Sequence, residues 1–309
     1  MNLSETPVTL FGPYGSRLAE IEEHHTNGIS NPQAILNGSA FRQAVHGVAL
    51  EHLSSGADVG MTHTFGLRSL IHKPGELGTY RDALKTHRDI LRSAMVSTGR
   101  KVKEVLSFGP ATDCYKPDPG FSVNEARDFH ETQVHEAKVL QVDGAWFETV
   151  NTAAEAVGIA LAARKHKVPC VISFVLNKEG RLLSGEKVAD AVAAVDSASG
   201  GYPLGYSLNC CPIEALEPAL QSCGGLASRV IAVYPNASSR LQTELEKNPE
   251  GAGLRSPQDT ANYLHYLSKR WKLPIIGGCC GYNFRDVALV TAAVKQGLYN
   301  ARLPVTDVN

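Results

Sequence analysis

Short apolar runs alternate along the chain with longer segments of helical periodicity. Eight such runs are present, and most are rich in β-branched or aromatic residues. They occupy residues 8–11, 57–62, 105–110, 145–148, 170–176, 205–210, 230–234 and 275–278. Near-continuous apolar runs of this length are typical of strands that are buried on both faces, so the pattern predicts a parallel sheet.

The segments between the runs carry apolar residues at intervals of three and four, which predicts helices. The clearest is residues 40–54. Its apolar face consists of Phe41, Ala44, Val45, Val48 and Ala49. Further helices are predicted at residues 80–97, 124–140, 152–165, 186–195, 213–223, 258–271 and 283–296. Eight alternating strand–helix units in 309 residues favour a closed (β/α)8 barrel of the TIM type over the rival, a doubly wound open sheet.

The sequence contains no sign of a boundary between domains. It has no linker rich in proline and serine, no low-complexity tract and no repeat longer than one strand–helix unit. Residues 1–309 are therefore predicted to form a single barrel domain. Residues 115–120 and 244–256 are predicted to be long loops over the face where the strands end.

Composition narrows the class of protein. A net charge of −1 and a hydrophobic fraction of 43% argue against disorder and against a general nucleic-acid surface. No apolar stretch approaches the ~20 residues that span a bilayer, and residues 1–6 lack the basic start of a signal peptide. Seven cysteines, including two adjacent pairs, fit reduced thiols better than a disulfide framework. We therefore expect a cytoplasmic protein without membrane or nucleic-acid partners, and a homo-oligomer is compatible with these properties.

Residues 274–281, Pro-Ile-Ile-Gly-Gly-Cys-Cys-Gly, combine a short strand with two adjacent cysteines. Adjacent cysteines are strained as a disulfide with each other, whereas their thiolates can share one thiophilic metal, because Zn–S bonds are only ~2.3 Å long. A third ligand must then come from another segment. The candidate is Cys210, because the run at residues 205–210 also ends on a cysteine at a predicted strand end.

These segments resemble the zinc-dependent homocysteine S-methyltransferases, in which an Asn-Cys at one strand end and a Gly-Gly-Cys-Cys-Gly at another hold the metal. Asn209-Cys210 and residues 277–281 match these two motifs. Shorter segments around Glu148, Ser173 and Tyr234 follow the order and rough spacing of the family over nearly the whole chain. The resemblance implies a barrel whose mouth holds Zn²⁺ on Cys210, Cys279 and Cys280, and it selects Cys210 over its neighbour Cys211 as the third ligand.

The resemblance also implies a reaction. Three thiolates leave a tetrahedral zinc with one open position, where a substrate thiol loses its proton and becomes nucleophilic at neutral pH. The expected enzyme is an S-methyltransferase that methylates homocysteine to methionine, as in methionine biosynthesis. S-methylmethionine, S-adenosylmethionine and betaine-like compounds are the candidate donors, and the residues leave the choice among these small molecules open.

Five further residues are candidates for substrate binding. The resemblance assigns Glu148 to the amino group of homocysteine, a role that suits a carboxylate facing an ammonium. Asn209 belongs to the metal motif. Tyr234 and Tyr282 lie near predicted strand ends, where an aromatic face attracts a cationic donor by ~0.5–2 kcal/mol. His63 is a possible metal ligand, general base or hydrogen-bonded rim residue. Four other aromatic residues share this placement, with ordinary packing as the alternative: Tyr14, Phe65, Trp146 and Tyr206.

The predicted mouth departs from the family at three places. Phe11-Gly12-Pro13 stands where the family has Asp-Gly-Gly, so an aspartate that helps to hold the amino acid is missing. Met61-Thr62-His63-Thr64 replaces Glu-Thr-Asn-Thr, and Tyr282 replaces a common threonine. Two alternatives follow. One is the same zinc–thiolate chemistry on another thiol or donor, and the other is a non-catalytic homologue whose cysteines are structural or redox elements.

Overall fold

A computed structural model describes residues 8–10, 12, 14, 17–18, 32–241, 244, 256–282 and 284–296. Within them, parallel strands form one sheet of eight, in the order β1-β8-β7-β6-β5-β4-β3-β2. The strands are β1 Val8–Thr9, β2 Val59–Met61, β3 Lys103–Phe108, β4 Gly144–Val150, β5 Cys170–Val175, β6 Gly205–Asn209, β7 Val230–Tyr234 and β8 Ile275–Ile276. Leu10 bridges Val59, so β1 meets β2 and the sheet closes on itself.

Helices connect the strands around the chain. They are α1 Ser39–Ser54, α2 Leu77–Thr98, α3 Val123–Leu140, α4 Ala153–His166, α5 Val188–Ser199, α6 Leu216–Ser222, α7 Pro257–Trp271 and α8 Phe284–Gln296. Short 3-10 turns occupy Pro32–Leu36, Phe65–Leu70, Ile213–Ala215 and Gly224–Arg229. The predicted (β/α)8 barrel is confirmed. None of the helices described combines the length and apolar character needed to cross a membrane.

Several predicted bounds differ from the observed ones for local reasons. The helix expected at residues 213–223 divides into a 3-10 turn and α6. The strand expected to reach residue 110 ends at Phe108, because Pro110 has no backbone N–H with which to continue a ladder. The loop predicted at 115–120 is present between β3 and α3. Phe11 and nearly all of the loop predicted at 244–256 lie outside the described residues.

The strands are buried on both faces, which explains their continuous apolar runs. Every residue of β5 and of β6 is buried. Small polar side chains are tolerated inside the barrel because they bond to one another: the Ser207 hydroxyl donates to Ser173 Oγ at 2.5 Å, and Ser173 donates to Asn209 Oδ1 at 2.7 Å. This chain of hydrogen bonds leads from the barrel interior to the carboxyl ends of the strands.

The ends of β4 and β6 each contain a residue whose backbone conformation is uncommon for residues other than glycine. Among the described residues, five that are not glycine have positive φ. Three of them, Gln141, Lys167 and Lys272, end helices, where the left-handed conformation is common. The other two, Thr149 at 62° and Cys210 at 49°, lie at the ends of β4 and β6. Such strained positions cluster at functional sites.

Candidate metal centre and substrate cavity

The carboxyl ends of β6 and β8 bring three cysteine sulfurs together. Cys210 Sγ lies 2.7 Å from Cys279 Sγ and 3.9 Å from Cys280 Sγ, and the Cys279 and Cys280 sulfurs are 4.0 Å apart. In the part of the chain that the structure describes, this is the one group of three or more His, Cys, Asp or Glu side chains arranged to hold a metal. The sequence had predicted these three ligands.

The cluster fits a thiophilic metal. Four ligands at ~2.3 Å around a tetrahedral zinc ion are separated from one another by ~3.8 Å. Two of the three sulfur separations are close to this value. The Cys210–Cys279 pair is closer and would have to widen by about 1 Å. Three sulfurs without an oxygen ligand suit zinc or a similar soft ion and do not suit magnesium or calcium.

The three thiols influence one another's ionisation. Hydrogen bonds from Cys210 and Cys279 hold the pKa of the Cys280 thiol well below its usual range. The hydrogen bond from Cys279, with burial, keeps the pKa of Cys210 well above its usual range. Cys280 is therefore the first of the three to become a thiolate, and its negative charge favours a cation at this position.

Close backbone approach explains the glycines before the cysteine pair. A side chain at Gly277 would come within 2.9 Å of Leu10 Cβ, and one at Gly278 within 2.3 Å of the Tyr282 ring. The end of β7 fixes the same turn, because Cys279 N donates to Pro235 O at 2.7 Å and Ala237 N to Cys280 O at 2.9 Å. The motif thus places two sulfurs on a tightly packed turn.

Glu148 reaches the mouth through an irregularity in β4. The pairing register of β4 with β5 shifts between Phe147 and Val150, and the positive φ of Thr149 lies within this shift. A bulge of this kind changes the direction of a side chain beside an active site. The Ser107 hydroxyl donates to Glu148 Oε2. Burial raises the pKa of Glu148 to about 7, against the opposing effect of hydrogen bonds from Ser107 and Tyr234.

Asn209 supports this bulge. Its Oδ1 accepts a hydrogen bond from Thr149 N at 3.2 Å, and its Nδ2 donates to Thr149 Oγ1 at 3.2 Å. Asn209 is almost fully buried, at 1% exposure. Two bonds to one neighbour hold Thr149 in its strained conformation and thereby fix the adjacent Glu148. The side chain thus has a structural partner on each polar atom, in addition to its place in the cavity wall.

A cavity of about 920 Å³ opens above the sulfurs. Its walls include the three cysteines and four predicted substrate residues, which are Glu148, Asn209, Tyr234 and His63. Further aromatic rings in the wall come from Tyr14, Phe65, Tyr115 and Phe129. A volume of this size falls within the ~300–1,000 Å³ of ordinary ligand sites and has room for two small molecules side by side.

The β3–α3 loop covers one side of the cavity. The Tyr115 hydroxyl lies 3.8 Å from Cys210 Sγ. Glu155 holds the start of this loop. Its Oε1 accepts a hydrogen bond from Ala111 N at 2.5 Å and lies 2.9 Å from His130 Nε2. Asn151 Nδ2 donates to Asp113 O at 2.8 Å. The arrangement holds a phenol beside the sulfur cluster.

Comparison with known proteins agrees with this architecture. A sequence model described as homocysteine S-methyltransferase matches residues 12–294. The chain belongs to the homocysteine S-methyltransferase family. Methylation of homocysteine is the reaction after which the family is named.

Individual relatives of the family are distant. Methionine synthase from Mycobacterium leprae (strain TN) is 25% identical over 317 residues, which cover 93% of this chain and 24% of that protein. This chain thus spans about a quarter of that relative. The metallated homocysteine methyltransferase MmuM from Escherichia coli has a TM-score of 0.71 and 19% identity, covering 94% of this chain and 96% of its own. Its oxidised form has a TM-score of 0.75 and 20% identity, covering 93% and 95%. At these identities the likeness supports the fold.

The residues that depart from the homocysteine S-methyltransferase pattern lie in different parts of the structure. Met61 and His63 line the cavity, and the His63 ring stacks on Tyr14 at 5.4 Å between centroids. His63 is not part of the sulfur cluster. Tyr282 lies beneath Gly278, is 2% exposed and is not among the residues that line the cavity. It therefore supports the turn that carries the cysteine pair.

The remaining aromatic candidates also divide into residues that line the cavity and residues that are packed elsewhere. Tyr14 and Phe65 line the cavity. Trp146 lies within the barrel and donates from Nε1 to Tyr234 Oη at 3.0 Å. Tyr206 stacks on Phe174 and bonds to Asp196, away from the mouth. Sequence reasoning missed Arg68 and Phe129, and did not assign Tyr115 a role, because none of the three lies at a predicted strand end.

Proposed function

We propose that the protein is a zinc-dependent S-methyltransferase that transfers a methyl group from a small cationic donor to homocysteine and yields methionine. The observation that carries this proposal is the cluster of Cys210, Cys279 and Cys280 beside Glu148 in one cavity. Three soft ligands and one carboxylate are what a thiol with an amino group requires. The expected partners are small molecules, and three reduced thiols suit a cytoplasmic setting.

A bound zinc ion would favour the thiolate form of the acceptor at neutral pH. The protein's own residues bind and orient the substrates. Glu148 accepts hydrogen bonds from the acceptor ammonium, and Ser107 restrains one of its carboxylate oxygens. Fixing the thiolate beside the donor methyl converts a reaction between two solutes into one within a complex. The new S–CH₃ bond forms as the bond from the methyl carbon to the donor breaks, and the donor leaves without its positive charge.

The aromatic walls suit a cationic donor. Tyr14 and Tyr115 contribute aromatic rings to the cavity wall, and an aromatic face attracts a sulfonium or quaternary ammonium group by ~0.5–2 kcal/mol. S-methylmethionine, S-adenosylmethionine and betaine-like compounds all meet this requirement. A cavity of about 920 Å³ accommodates acceptor and donor together, as direct transfer needs.

Metal analysis of cysteine variants tests the proposal. The wild type, purified under reducing conditions, is expected to hold about one zinc per chain, and Cys210→Ala and the double variant Cys279→Ala/Cys280→Ala are expected to hold none. Cys211→Ala is the matched control, because Cys211 is equally buried and adjacent in sequence but outside the sulfur cluster. It should keep both metal and activity.

Activity is measured with homocysteine and each of the three donor classes. Methionine formation by the wild type and by Cys211→Ala, and its loss in the metal-free variants, would support the proposal. Zinc that remains bound after removal of Cys279 and Cys280 would contradict the assigned ligands. Methylation of another small thiol in preference to homocysteine would favour the same chemistry on a different acceptor.

A further inference from the structure

The guanidinium of Arg68 lies in the wall of the active-site cavity. Arg68 belongs to the 3-10 turn Phe65–Leu70 that follows β2. It is half-buried, and its Cζ lies 4.7 Å from the centroid of the Phe65 ring. Stacking on an aromatic face restricts the plane of a guanidinium while leaving its N–H edge available to a ligand. The site therefore contains a positioned cation that the proposed mechanism does not use.

A glycine makes room for this side chain. A Cβ at Gly109 would lie 2.8 Å from Arg68 Nη1 and 2.9 Å from Arg68 Cδ. Because φ of Gly109 is not positive, backbone strain does not require glycine there. The close approach of Arg68, together with Phe65 O at 3.0 Å, therefore disfavours a side chain at position 109.

Arg68 forms no salt bridge among the residues that the structure describes. Other arginines of the barrel pair with carboxylates, as Arg92 does with Glu104 and Arg229 with Asp196. For Arg68, no described carboxylate lies within ion-pair distance. Its polar neighbour is the Cys114 thiol, whose pKa burial raises to about 11, so that this group is neutral at pH 7. A half-buried cation that forms no salt bridge with a described carboxylate can accept the carboxylate of a ligand.

The second charge of the cavity lies at the neighbouring strand end. Phe108, the last residue of β3, pairs with Phe147 of β4, so Gly109 and Glu148 each follow one member of this pair. Neighbouring strands are ~4.8 Å apart, which brings the guanidinium against Gly109 into the same part of the cavity as the Glu148 carboxylate. The two side chains do not form an ion pair with each other. A zwitterion placed between them would satisfy both.

We propose that Arg68 binds the carboxylate of the amino-acid acceptor whose ammonium is bound by Glu148. This inference rests on the proposed function and adds a specificity residue to it. A fork of N–H groups matches a carboxylate in two parallel hydrogen bonds, which a lysine or a neutral side chain does not reproduce. A cationic donor group is repelled at this position, so the donor methyl approaches from the other side of the cavity.

The test compares acceptors that differ only in the carboxylate. Homocysteine and 3-aminopropane-1-thiol share the thiol and the amino group, and their dissociation constants are measured by calorimetry on the zinc-loaded protein. The wild type should bind homocysteine about 10- to 100-fold more tightly, the range expected for hydrogen bonds to a charged group. Arg68→Met should lose this preference while binding 3-aminopropane-1-thiol as before.

Three further variants make the result specific. Arg68→Lys should recover only part of the preference, because a lysine presents a point charge without the fork. Gly109→Ala should mimic Arg68→Met, since the added methyl displaces the guanidinium. Lys116→Met removes an exposed cation from the same cavity wall, and it should change the preference by less than about twofold at physiological salt.

Several outcomes would overturn the inference. Equal weakening of both thiols in Arg68→Met would indicate a structural role, and no weakening would remove the contact. If the effect follows the carboxylate of the donor when S-methylmethionine is exchanged for trimethylsulfonium, the anchor serves the donor and the acceptor assignment is wrong.

Failure of the proposed function gives a different result. If homocysteine neither binds nor is methylated, the comparison is repeated with 3-mercaptopropionate and ethanethiol. An Arg68-dependent preference for the carboxylate in that pair would preserve the anion site and reject homocysteine as acceptor. Absence of a carboxylate preference in both pairs would reject the anion site.

Discussion

Glu148 is a buried residue beside the strained Thr149, and it has a proposed role in binding the substrate. A carboxylate on a regular strand would follow the alternation of β4, but the shift at Thr149 places it in the mouth instead. Non-glycine residues in the left-handed region cost ~1–3 kcal/mol, which the two hydrogen bonds between Thr149 and Asn209 help to offset. Burial then raises the pKa of Glu148 to about 7, so the group is poised to gain or lose a proton near neutral pH.

The pH dependence of acceptor binding follows from this pKa. Glu148 binds an ammonium only as the carboxylate, and burial raises its pKa from the ordinary value to about 7. Release of the thiol proton makes affinity for homocysteine rise with pH throughout this range, and protonation of Glu148 should add a further fall of up to about tenfold per pH unit below about pH 7. Calorimetric titrations of the zinc-loaded protein between pH 6 and pH 8 measure this slope.

Two comparisons separate Glu148 from other titrating groups. Ser107→Ala removes a hydrogen bond that lowers the Glu148 pKa, so the midpoint should move to higher pH. The thiol 4-mercaptobutyrate has no amino group and should show a flatter profile below pH 7. Identical profiles for homocysteine and 4-mercaptobutyrate would mean that Glu148 does not bind the ammonium.

Residues at strand ends could be predicted from the sequence, whereas those in irregular segments could not. Cys210, Cys279, Cys280 and Glu148 end apolar runs, and the mouth of a barrel lies at such ends. Arg68 and Phe129 lie in a 3-10 turn and in a helix, where no periodic pattern marks a cavity wall. The supporting role of Asn209 depends on a register shift, which apolar periodicity does not reveal.

At the scale of elements, α3 and α4 pack closely against each other. A Cβ at Gly158 of α4 would lie 2.5 Å from Ala126 Cβ and 2.6 Å from Arg127 N of α3. Glycine is a poor helix former, so its presence inside α4 is explained by packing. These two helices follow β3 and β4, whose ends carry the Tyr115 loop and Glu148. Their spacing therefore bears directly on the cavity.

A matched pair of glycine substitutions tests this explanation. Gly158→Ala should lower the free energy of unfolding by about 1–3 kcal/mol, because the helices must move apart. Gly47→Ala in α1 meets no atom within 4 Å and should raise it by up to about 1 kcal/mol through helix propensity alone. Urea denaturation measures both. A gain of stability in Gly158→Ala would show that the contact with α3 is not limiting.

The order of strands and helices could be predicted best from the sequence. The residues at which they begin and end could be predicted least well. Eight apolar runs correspond to eight strands because parallel strands are buried on both faces. Helix ends depend on local chemistry, as in the capping box of Ser122 and Glu125 that begins α3 one residue before the predicted start. The division of the predicted helix at 213–223 depends on a 3-10 turn that apolar spacing does not distinguish from an α-helix.

At the scale of the whole molecule, the junction between the first two strands closes the barrel. Among the residues that the structure describes, β1 and β2 are joined by one bridge, from Leu10 to Val59. Asp58 strengthens it, since its Oδ2 accepts from Thr9 N at 3.1 Å and its backbone N donates to Thr9 O at 2.8 Å. Thr291 of α8 donates to Thr9 Oγ1 at 3.2 Å, which ties the last described helix to the same point.

A second aspartate accepts an equivalent backbone hydrogen bond between two strands in the continuous part of the sheet. Asp143, just before β4, accepts from Glu104 N of β3 through Oδ2 at 2.9 Å. There, however, β3 and β4 also share four registered residue pairs. The local hydrogen bond is equivalent at both places, so a difference between the two aspartates reports the importance of the junction itself.

Alanine substitutions at these two positions test the role of the junction. Asp58→Ala should lower the free energy of unfolding by about 2–3 kcal/mol, because it also removes the ion pair with Arg100 and leaves Thr9 N without its acceptor. Asp143→Ala should cost about 1 kcal/mol, because its ion pair with Lys103 is exposed and the ladder persists. Hydrogen exchange should show faster opening of β1 and β2 in Asp58→Ala alone. Equal losses, or opening confined to β3 and β4, would mean that the barrel does not depend on this junction for its closure.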